Sequence, residues 1–299
     1  MLGLLEANGL RPSRALGQNF VVDPNTVRRI ARLAGVGPGD RVVEVGAGLG
    51  SLTLALAETG AAVTAIEVDH HLLPLLVEVA EPAGVRVVGG NALTLDWAAL
   101  LGAEHSAPRS EGPLGPSAPR SEGPLGPSAP RSEGPLGPWH LVANLPYNVA
   151  TPLVCDLLDG VPAISELLVM VQREVGERLA AGPGSAAYGA VSVKVRYWGT
   201  ARVVGKVPAS VFVPRPNVES ALVRIVRHPG GPSVDPALVS ADRLFQVVRA
   251  GFAHRRKMLR GTLAGVVHPA AFAASDVPET ARAEELDVDA WGRLASFAP

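Results

Sequence analysis

Short apolar runs alternate with amphipathic segments along the chain, and most runs end in glycine or a polar residue. A short apolar run is typical of a strand buried on both faces, whereas apolar positions spaced by three and four residues predict a helix. Residues 51–60 have the helical spacing and close on Gly60. The apolar runs predict five strands, within residues 41–48, 61–69, 85–93, 139–147 and 166–172.

Strands that alternate with helices favour a parallel sheet covered by helices on both faces, so the pattern predicts an α/β fold. Ligands of such sheets bind beyond the carboxyl ends of the strands. Four polar features fall at these ends: the segment EVGAGLG (44–50), Glu67, Asn91 and Asn144.

A repeated segment interrupts this pattern. SAPRSEGPLGP occurs three times without a mismatch over residues 106–138, with three prolines and two glycines in each copy of eleven residues. Such a composition cannot bury enough apolar surface to offset the entropy of ordering, so we predict that the segment is disordered. We interpret it as a spacer, the alternative being a docking site.

Bulk composition excludes several classes of protein. The 299 residues carry a net charge of −1, so the total charge does not indicate a nucleic-acid or membrane partner. The single cysteine, Cys155, allows no intrachain disulfide, and the seven histidines lack ligand spacing, so we expect no metal site. No apolar run reaches the 18 residues of a membrane span, and we expect no membrane partner.

The glycine-rich segment indicates a nucleotide-like ligand. Gly46, Gly48 and Gly50 let the backbone turn sharply and approach a ligand, and Glu67 follows Gly46 by 21 residues, where a carboxylate can accept both hydroxyls of a ribose. A dinucleotide-binding dehydrogenase has this layout, but its fingerprint is G-x-G-x-x-G. The third glycine here comes one position earlier, which suits a ligand without a pyrophosphate, notably S-adenosylmethionine.

Residues 144–147, with the sequence NLPY, end the fourth predicted strand beside this pocket. The Asn144 side-chain oxygen and the Leu145 carbonyl can accept the hydrogens of an adenine amine, so that its lone pair points at a methyl donor. Pro146 stiffens the turn, and Tyr147 can stack on an extruded base. Methylation by positioning and electrostatics is the hypothesis, and an ordinary turn after a strand is the alternative.

Six segments resemble, in order, the signatures of the bacterial 16S ribosomal RNA adenine dimethyltransferases. They are LGQNFVVD (16–23), VVEVGAGLGSLT (42–53), NLPYNVATPL (144–153), MVQREVGERLAAGPGSAAYGAVSV (170–193), VPASVFVPRPNVESALVRI (207–225) and GFAHRRKMLRGTL (251–263). The resemblance covers nearly the whole chain except the repeats and the extreme tail.

The resemblance implies a Rossmann-like S-adenosylmethionine-dependent methyltransferase sheet with a small all-helical C-terminal domain. We place these domains at residues 1–228 and 229–299. It also implies the reaction, in which four methyl groups pass from S-adenosylmethionine to two adjacent adenosines in a hairpin loop near the 3′ end of small-subunit RNA. We expect a monomeric, cytoplasmic enzyme whose partner is 16S rRNA in the small ribosomal subunit or its precursor.

Matching positions take their roles from the resemblance. Asn19 and Val21 would close over the cofactor and Asn144 would lie between cofactor and base. The remaining assignments are Gly46 to the methionine part, Glu67 to the ribose, Asn91 to the adenine, Tyr147 to stacking on the base, and Phe212 to a second aromatic wall. Phe212 has the alternative role of an ordinary core residue. The family usually has Asp where this chain has Asn91, so the charge that would favour cofactor binding is lost.

Local charge favours an RNA substrate more than the total charge does. Residues 173–260 contain 15 Lys/Arg against 5 Asp/Glu. The run HRRKMLR (254–260) is predicted to form one helix that contacts phosphate through Arg255, Arg256, Lys257 and Arg260. A solvated helical face is the alternative.

Other functions stay open on this reasoning. DNA adenine and protein glutamine methyltransferases have a second proline where this chain has Leu145. The 23S RNA methyltransferases of macrolide resistance usually have NIPYN and a polar residue in place of Pro152. A non-catalytic factor that checks small-subunit assembly is a third possibility, against which the intact Asn144 and Tyr147 argue.

Overall fold

The computed structural model describes residues 2–13, 15–102 and 138–298. Apart from Pro138, the predicted disordered repeats lie outside these residues. The strands are β1 Phe20–Val21, β2 Arg41–Val45, β3 Ala62–Glu67, β4 Arg86–Gly89, β5 Trp139–Asn144, β6 Ile164–Gln172, β7 Gly199–Val207, β8 Phe212–Val213 and β9 Ser220–Arg227.

Helices surround these strands and fill the C-terminal region. The helices up to β7 are α1 Leu2–Ala7, α2 Pro24–Ala34, α3 Ser51–Ala57, α4 Leu73–Ala80, α5 Trp97–Gly102, α6 Ala150–Gly160, α7 Arg173–Ala180 and α8 Ala190–Trp198. The C-terminal helices are α9 Ala241–Phe252, α10 Leu259–Thr262, α11 Ala270–Ala274 and α12 Val288–Ser296.

The main sheet has seven strands in the order β4-β3-β2-β5-β6-β9-β7. The five predicted strands are all present and run parallel to one another. Two strands that the apolar pattern does not predict, β9 and β7, extend this parallel sheet as antiparallel strands. The edge strand β7 is largely exposed or half-buried and carries glycine and charged residues, so it lacks the apolar run by which a buried strand is identified.

Each face of the sheet has its own apolar core. Val43, Leu141 and Val169 pack with α6 on one face, and Val42 and Leu168 pack with α2 and α3 on the other. Central strands such as β2 are buried on both faces, which explains why apolar residues occupy both faces and do not alternate with polar ones, with Glu44 the buried exception in β2.

A third core lies among the C-terminal helices around Leu244, Val248 and Trp291. Tyr188 and Tyr197, from the segment before β7, are buried in this same core. The Tyr188 hydroxyl donates to the Leu286 carbonyl at 3.0 Å. The helical region therefore packs directly against α8 and the loop that precedes it.

Candidate active site

Three neighbouring strands end at the same level of the sheet. Val45 of β2 lies opposite the residue that precedes Glu67 in β3 and opposite the residue that precedes Asn144 in β5. Gly46, Glu67 and Asn144 therefore stand side by side where the strands end. A cavity over these ends is lined by residues 16–20 of the N-terminal segment, by Gly46, Gly48, Glu67 and Val68, and by residues 144–147.

The glycine loop needs its glycines. Gly46 and Gly48 have φ angles of 73° and 59°, in the left-handed region that side chains with a Cβ rarely adopt. A Cβ on Gly48 would lie 2.9 Å from a ring carbon of Phe20. The Gly46 amide donates to the Ile66 carbonyl at 2.9 Å, which ties the loop to the end of β3. The main chain of the glycine loop therefore faces the cavity directly, because its glycines carry no side chains that would cover it.

Glu67 is buried and held by main-chain donors. One carboxylate oxygen accepts from the Gly48 amide at 2.6 Å, and the other accepts from the Val68 and Asp69 amides at 2.9 and 2.8 Å. Burial raises the pKa of the Glu67 carboxyl, and these backbone hydrogen bonds oppose that shift. A carboxylate has about four lone-pair sites, three of which these amides use, so Glu67 can still accept a hydrogen bond from a hydroxyl group in the cavity.

Glu44 precedes the glycine loop within β2 and has a different environment. Its side chain is 2% exposed, and burial raises the pKa of its carboxyl to about 8. It lines neither this cavity nor the adjoining one. Glu44 is therefore part of the support beneath the loop, whereas Glu67 is the carboxylate that a ligand can reach.

A second cavity adjoins the first and shares Gly46 and Val68 with it. Its lining is mainly apolar, and the side chains of Val68 and Leu93 are 49% and 40% exposed there. Asn91 lies at this cavity, and its Oδ1 atom accepts from the Leu93 amide at 3.1 Å. The apolar walls suit a flat ring, and Asn91 keeps one oxygen lone pair for a donor such as an adenine amine.

Asn144 has a defined amide orientation. Its Nδ2 atom donates to the Asn19 carbonyl at 3.0 Å. No described residue donates to its Oδ1 atom or to the Leu145 carbonyl oxygen. The Leu145 amide donates to the Met170 carbonyl at 3.1 Å, which fixes the backbone of the motif on β6. Two acceptor oxygens therefore remain available next to each other.

The remainder of the motif forms a turn that leads into α6. The Pro146 carbonyl accepts from the Val149 and Ala150 amides, each at 3.1 Å. Tyr147 is partly buried, and its hydroxyl lies 3.2 Å from the Ser220 Oγ atom at the start of β9. The structure thus brings the four residues Asn144–Tyr147 together at one wall of the cavity.

The N-terminal and aromatic candidates have separate positions. Asn19 lines the cavity, and its Nδ2 atom donates to the Gly17 carbonyl at 3.0 Å. Val21 and Phe212 are opposite each other in the β1–β8 pair and are buried in the core, with 9% and 3% exposure. Neither lines either cavity, so their assigned roles rest on the resemblance alone.

Comparison with known sequences decides the family. The model of the family described as ribosomal RNA adenine dimethylase matches residues 10–298. The chain belongs to this family. It is an S-adenosylmethionine-dependent enzyme that dimethylates adenine in ribosomal RNA.

Two named relatives of this adenine dimethylase are similar over almost their full lengths. The ribosomal RNA small subunit methyltransferase A of Cutibacterium acnes is 44% identical, over 96% of this chain and 88% of its own. The protein of the same name from Leifsonia xyli is 43% identical, over 98% of this chain and 95% of its own.

Solved structures share the fold of the dimethylase. The 23S rRNA methyltransferase ErmE superposes with a TM-score of 0.64 at 23% identity, over 93% of this chain and 99% of its own. A dimethyladenosine transferase from Plasmodium falciparum gives 0.66 at 19% identity, over 92% and 95% of the two chains. A Rossmann-like sheet with a helical C-terminal region is therefore the fold of this chain as well.

The two cavities of the dimethylase fit S-adenosylmethionine. Glu67 offers a carboxylate for ribose hydroxyls, Val68 and Leu93 offer apolar walls for an adenine, and the bare backbone of the glycine loop offers close approach. Among the described residues, no group of three or more His, Cys, Asp or Glu side chains could hold a metal ion. In the same part of the chain, every helix is too short or too polar to cross a membrane.

The basic run of the dimethylase does not form one helix, which corrects the sequence prediction. α9 ends at Phe252, residues 253–257 form turns, and α10 begins at Leu259. The side chains of Arg255, Arg256, Lys257 and Arg260 are exposed. The apolar period that would continue α9 stops at the charged run, because that run has no core-facing residue before the Met258–Leu259 step.

Arg255 differs from its neighbours. Its Nε atom donates to the Glu284 carboxylate at 3.2 Å, and its guanidinium also donates to the Ala186 and Tyr188 carbonyls. Arg256 and Lys257 form no ion pair with a described residue. Arg255 therefore ties the helical region to the loop before α8, whereas its two neighbours are available to a partner.

Sequence reasoning missed three polar residues around the site. Gln18 donates to Asp69 across 51 positions of sequence, and Ser220 contacts Tyr147 across 73. Neither pair produces a periodic signal, because each is made by distant segments that the fold brings together. Gln18 could have been singled out only because it lies within the family segment LGQNFVVD.

Proposed function

We propose that this enzyme dimethylates the exocyclic amines of two adjacent adenosines in the 3′-terminal hairpin loop of the small-subunit rRNA. The observation that carries the proposal is the Asn144 amide, whose nitrogen is engaged by the Asn19 carbonyl and whose oxygen is left available beside Tyr147. The names of the relatives, at 43–44% identity over nearly the whole chain, support the small subunit as the partner.

The chemistry depends on holding a weak nucleophile. The amine of adenine is unreactive because its lone pair is conjugated with the ring, and S-adenosylmethionine supplies the electrophilic methyl group. The Asn144 Oδ1 atom and the Leu145 carbonyl accept the two amine hydrogens, which turns the lone pair out of conjugation. Tyr147 stacks on the extruded base and fixes its plane.

No strong base is required at the amine. Glu67 is the carboxylate of the cavity, and three main-chain donors hold it at the end of β3. The amine that has received a methyl group is positively charged and acidic, so it loses its proton readily to water. Catalysis is then positioning and electrostatic stabilisation by preorganised acceptors.

The other assignments belong to the same proposal. Asn19, Gly46, Glu67 and Asn91 hold the cofactor. Residues 1–228 form the catalytic domain and residues 229–299 the helical RNA-binding domain. The exposed Arg256, Lys257 and Arg260 contact phosphate. The sequence also assigns Arg255 to phosphate, but its guanidinium is bonded to Glu284, so we propose that Arg255 has a structural role instead. We also propose that the enzyme acts as a monomer in the cytoplasm.

The test is methylation of purified small and large ribosomal particles that lack the modification, followed by mass measurement of the isolated RNA. We expect four methyl groups on two adjacent adenosines of the small-subunit RNA and none on the large. Methylation of the large-subunit RNA would instead favour the macrolide-resistance type. Binding to small particles with no mass change would favour an assembly factor without catalysis.

Asn144→Ala tests the residue on which the proposal depends. Loss of one preorganised polar partner is expected to lower the single-turnover rate about a hundred- to a thousandfold. Affinity for the particle should hardly change, because phosphate contacts elsewhere dominate it. A wild-type rate would return the motif to an ordinary turn after a strand.

A further inference from the structure

One side chain, that of Gln18, bonds the N-terminal segment (residues 16–20) to the end of β3 beside the active-site cavity. Gln18 uses both ends of its amide: Nε2 donates to the Asp69 Oδ2 atom at 2.7 Å, and Oε1 accepts from the Ser13 amide at 2.7 Å. The Gln18 amide nitrogen donates in turn to the Ser13 carbonyl at 3.1 Å. Two hydrogen bonds therefore join Ser13 to Gln18, and Gln18 is anchored in turn at Asp69.

The anchor itself is buried and held by further hydrogen bonds. Asp69 is 8% exposed and follows the end of β3 by two residues. Its Oδ1 atom accepts from the His71 amide at 3.0 Å, and its own amide donates to Glu67 at 2.8 Å. Both Asp69 oxygens are thus engaged, and the Gln18 partner is fixed relative to the strand ends.

The residue after Gln18 contacts the catalytic motif. The Asn19 carbonyl accepts from the Asn144 Nδ2 atom at 3.0 Å. A carboxamide has a donor side and an acceptor side, so this bond decides which way the Asn144 oxygen points. The opposite orientation would place two oxygens against each other and leave the Asn19 carbonyl without its donor.

We infer that Gln18 is a positioning residue for methyl transfer: by fastening the N-terminal segment to Asp69, it holds the Asn19 carbonyl where it orients the Asn144 amide. This inference rests on the proposed function, in which the Asn144 oxygen accepts from the target amine. When Gln18 is released, the carbonyl moves and Asn144 populates the wrong orientation. A misplacement of about 1 Å can cost about a hundredfold in rate.

An exchange of chemical groups between the two partners gives a sharp test. Gln18→Glu keeps the acceptor for the Ser13 amide but sets two carboxylates against each other. Asp69→Asn keeps the acceptor for the His71 amide but sets two amide groups against each other. The double variant Gln18→Glu/Asp69→Asn restores one donor and one acceptor at the contact and preserves the net charge.

The single-turnover rate at saturating S-adenosylmethionine and saturating small-subunit particles is the readout. We expect each single variant to be slower by about ten- to a hundredfold and the double variant to return to within about threefold of the wild type. Singles at the wild-type rate would overturn the inference. So would a double variant as slow as the slower single, provided that its thermal unfolding matches that of the wild type.

A double-mutant cycle between Gln18 and Asn144 separates a positioning role from a merely structural one. Gln18→Leu should slow the wild-type enzyme but add no further loss in the Asn144→Ala background, because its effect passes through Asn144. A full additional loss in that background would contradict the inference. Gln246→Leu is the matched control, since this exposed glutamine bonds only to the neighbouring Arg243 within the described part of α9.

The two proposals fail in different ways. If Asn144→Ala keeps the wild-type rate, the proposed function of Asn144 is wrong, whatever Gln18 does. If Asn144→Ala is slow and Gln18→Leu has the wild-type rate, the role of Asn144 stands and the inference about Gln18 is wrong.

Discussion

The strand-end site (Gly46, Glu67 and Asn144–Tyr147) and the basic turn (Arg255, Arg256 and Lys257) hold their polar groups in opposite ways. At the strand ends, Glu67 and Asn144 bond directly to main-chain atoms, and both are buried or partly buried. In the basic turn all three side chains are exposed, and only Arg255 bonds to the rest of the described protein.

The two regions therefore suit different tasks: the strand-end site can direct hydrogen bonds, and the basic turn can supply positive charge. A group that is fixed to the backbone of a sheet presents its lone pairs at a constant angle, which positioning of an amine requires. An exposed cation on a flexible stem acts mainly through its charge, and it releases counterions on binding wherever it finds a phosphate. Substitutions in the strand-end site should therefore change rates and cofactor affinity, and those in the basic turn should change salt dependence.

After Asn144→Ala, the largest effect should come from the ring of Tyr147. Tyr147→Ala removes a stacking surface worth about 1–3 kcal/mol, and we expect the single-turnover rate to fall up to about a hundredfold. Tyr147→Phe keeps the ring and loses only the contact with Ser220, so it should remain within about tenfold of the wild type. Ser220→Ala is the matched control and should reproduce the Phe variant. Equal losses in Phe and Ala would mean that the hydroxyl, not the ring, is required.

An effect of comparable size, on cofactor binding and not on rate, is expected at Glu67. Glu67→Ala removes the carboxylate available to ribose hydroxyls and should weaken binding of S-adenosylmethionine by about 1.5–3 kcal/mol. Calorimetry with the isolated protein measures this directly. Glu58→Ala, at the exposed end of α3, is the control and should bind normally. Unchanged affinity in Glu67→Ala would show that Glu67 does not bind the cofactor. It would also weaken the contrast between fixed polar groups at the strand ends and exposed charges in the basic turn.

Substitutions in the basic turn should have two different effects, one on RNA binding and one on stability. Replacing Arg256 and Lys257 with Ala should lower the salt slope of binding to small-subunit particles by about 0.7–0.9 per charge removed, with thermal unfolding unchanged. Arg255→Ala should lower the unfolding temperature, because Glu284 and the Ala186 and Tyr188 carbonyls lose their donor. Cofactor affinity should stay constant in both. An unchanged slope in the double variant would show that this turn does not contact phosphate.

The smallest effect is expected at Asn91. Asn91→Asp keeps the acceptor for the Leu93 amide and adds a negative charge at the rim of the apolar cavity. We expect S-adenosylmethionine to bind a few times more tightly, since a charged acceptor strengthens a hydrogen bond by about 1 kcal/mol. Calorimetry that shows no change would mean that the amide oxygen is an equal acceptor.

The sequence by itself determined the central sheet and the place of the site. Buried parallel strands are apolar on both faces, so the mainly apolar segments at 41–48, 61–69 and 139–147 can be identified one by one. Residues that follow such strands must meet at one edge, so the sequence predicts that Gly46, Glu67 and Asn144 lie together. The family resemblance then added the identity of the reaction.

Only the tertiary structure decided which distant residues complete that site. The Gln18–Asp69 bond, the Tyr147–Ser220 contact and the Asn144–Asn19 contact join residues 51 or more positions apart. The antiparallel pairing of β7 with β9 is also decided by the fold, because the apolar pattern does not predict it. The break between α9 and α10 is also decided only by the tertiary structure. The charged residues there have helical propensity, but they offer no apolar face that the core could bury. Local patterns report which faces of a segment are buried, whereas hydrogen bonds between segments depend on where the folded chain places each atom to within a few tenths of an ångström.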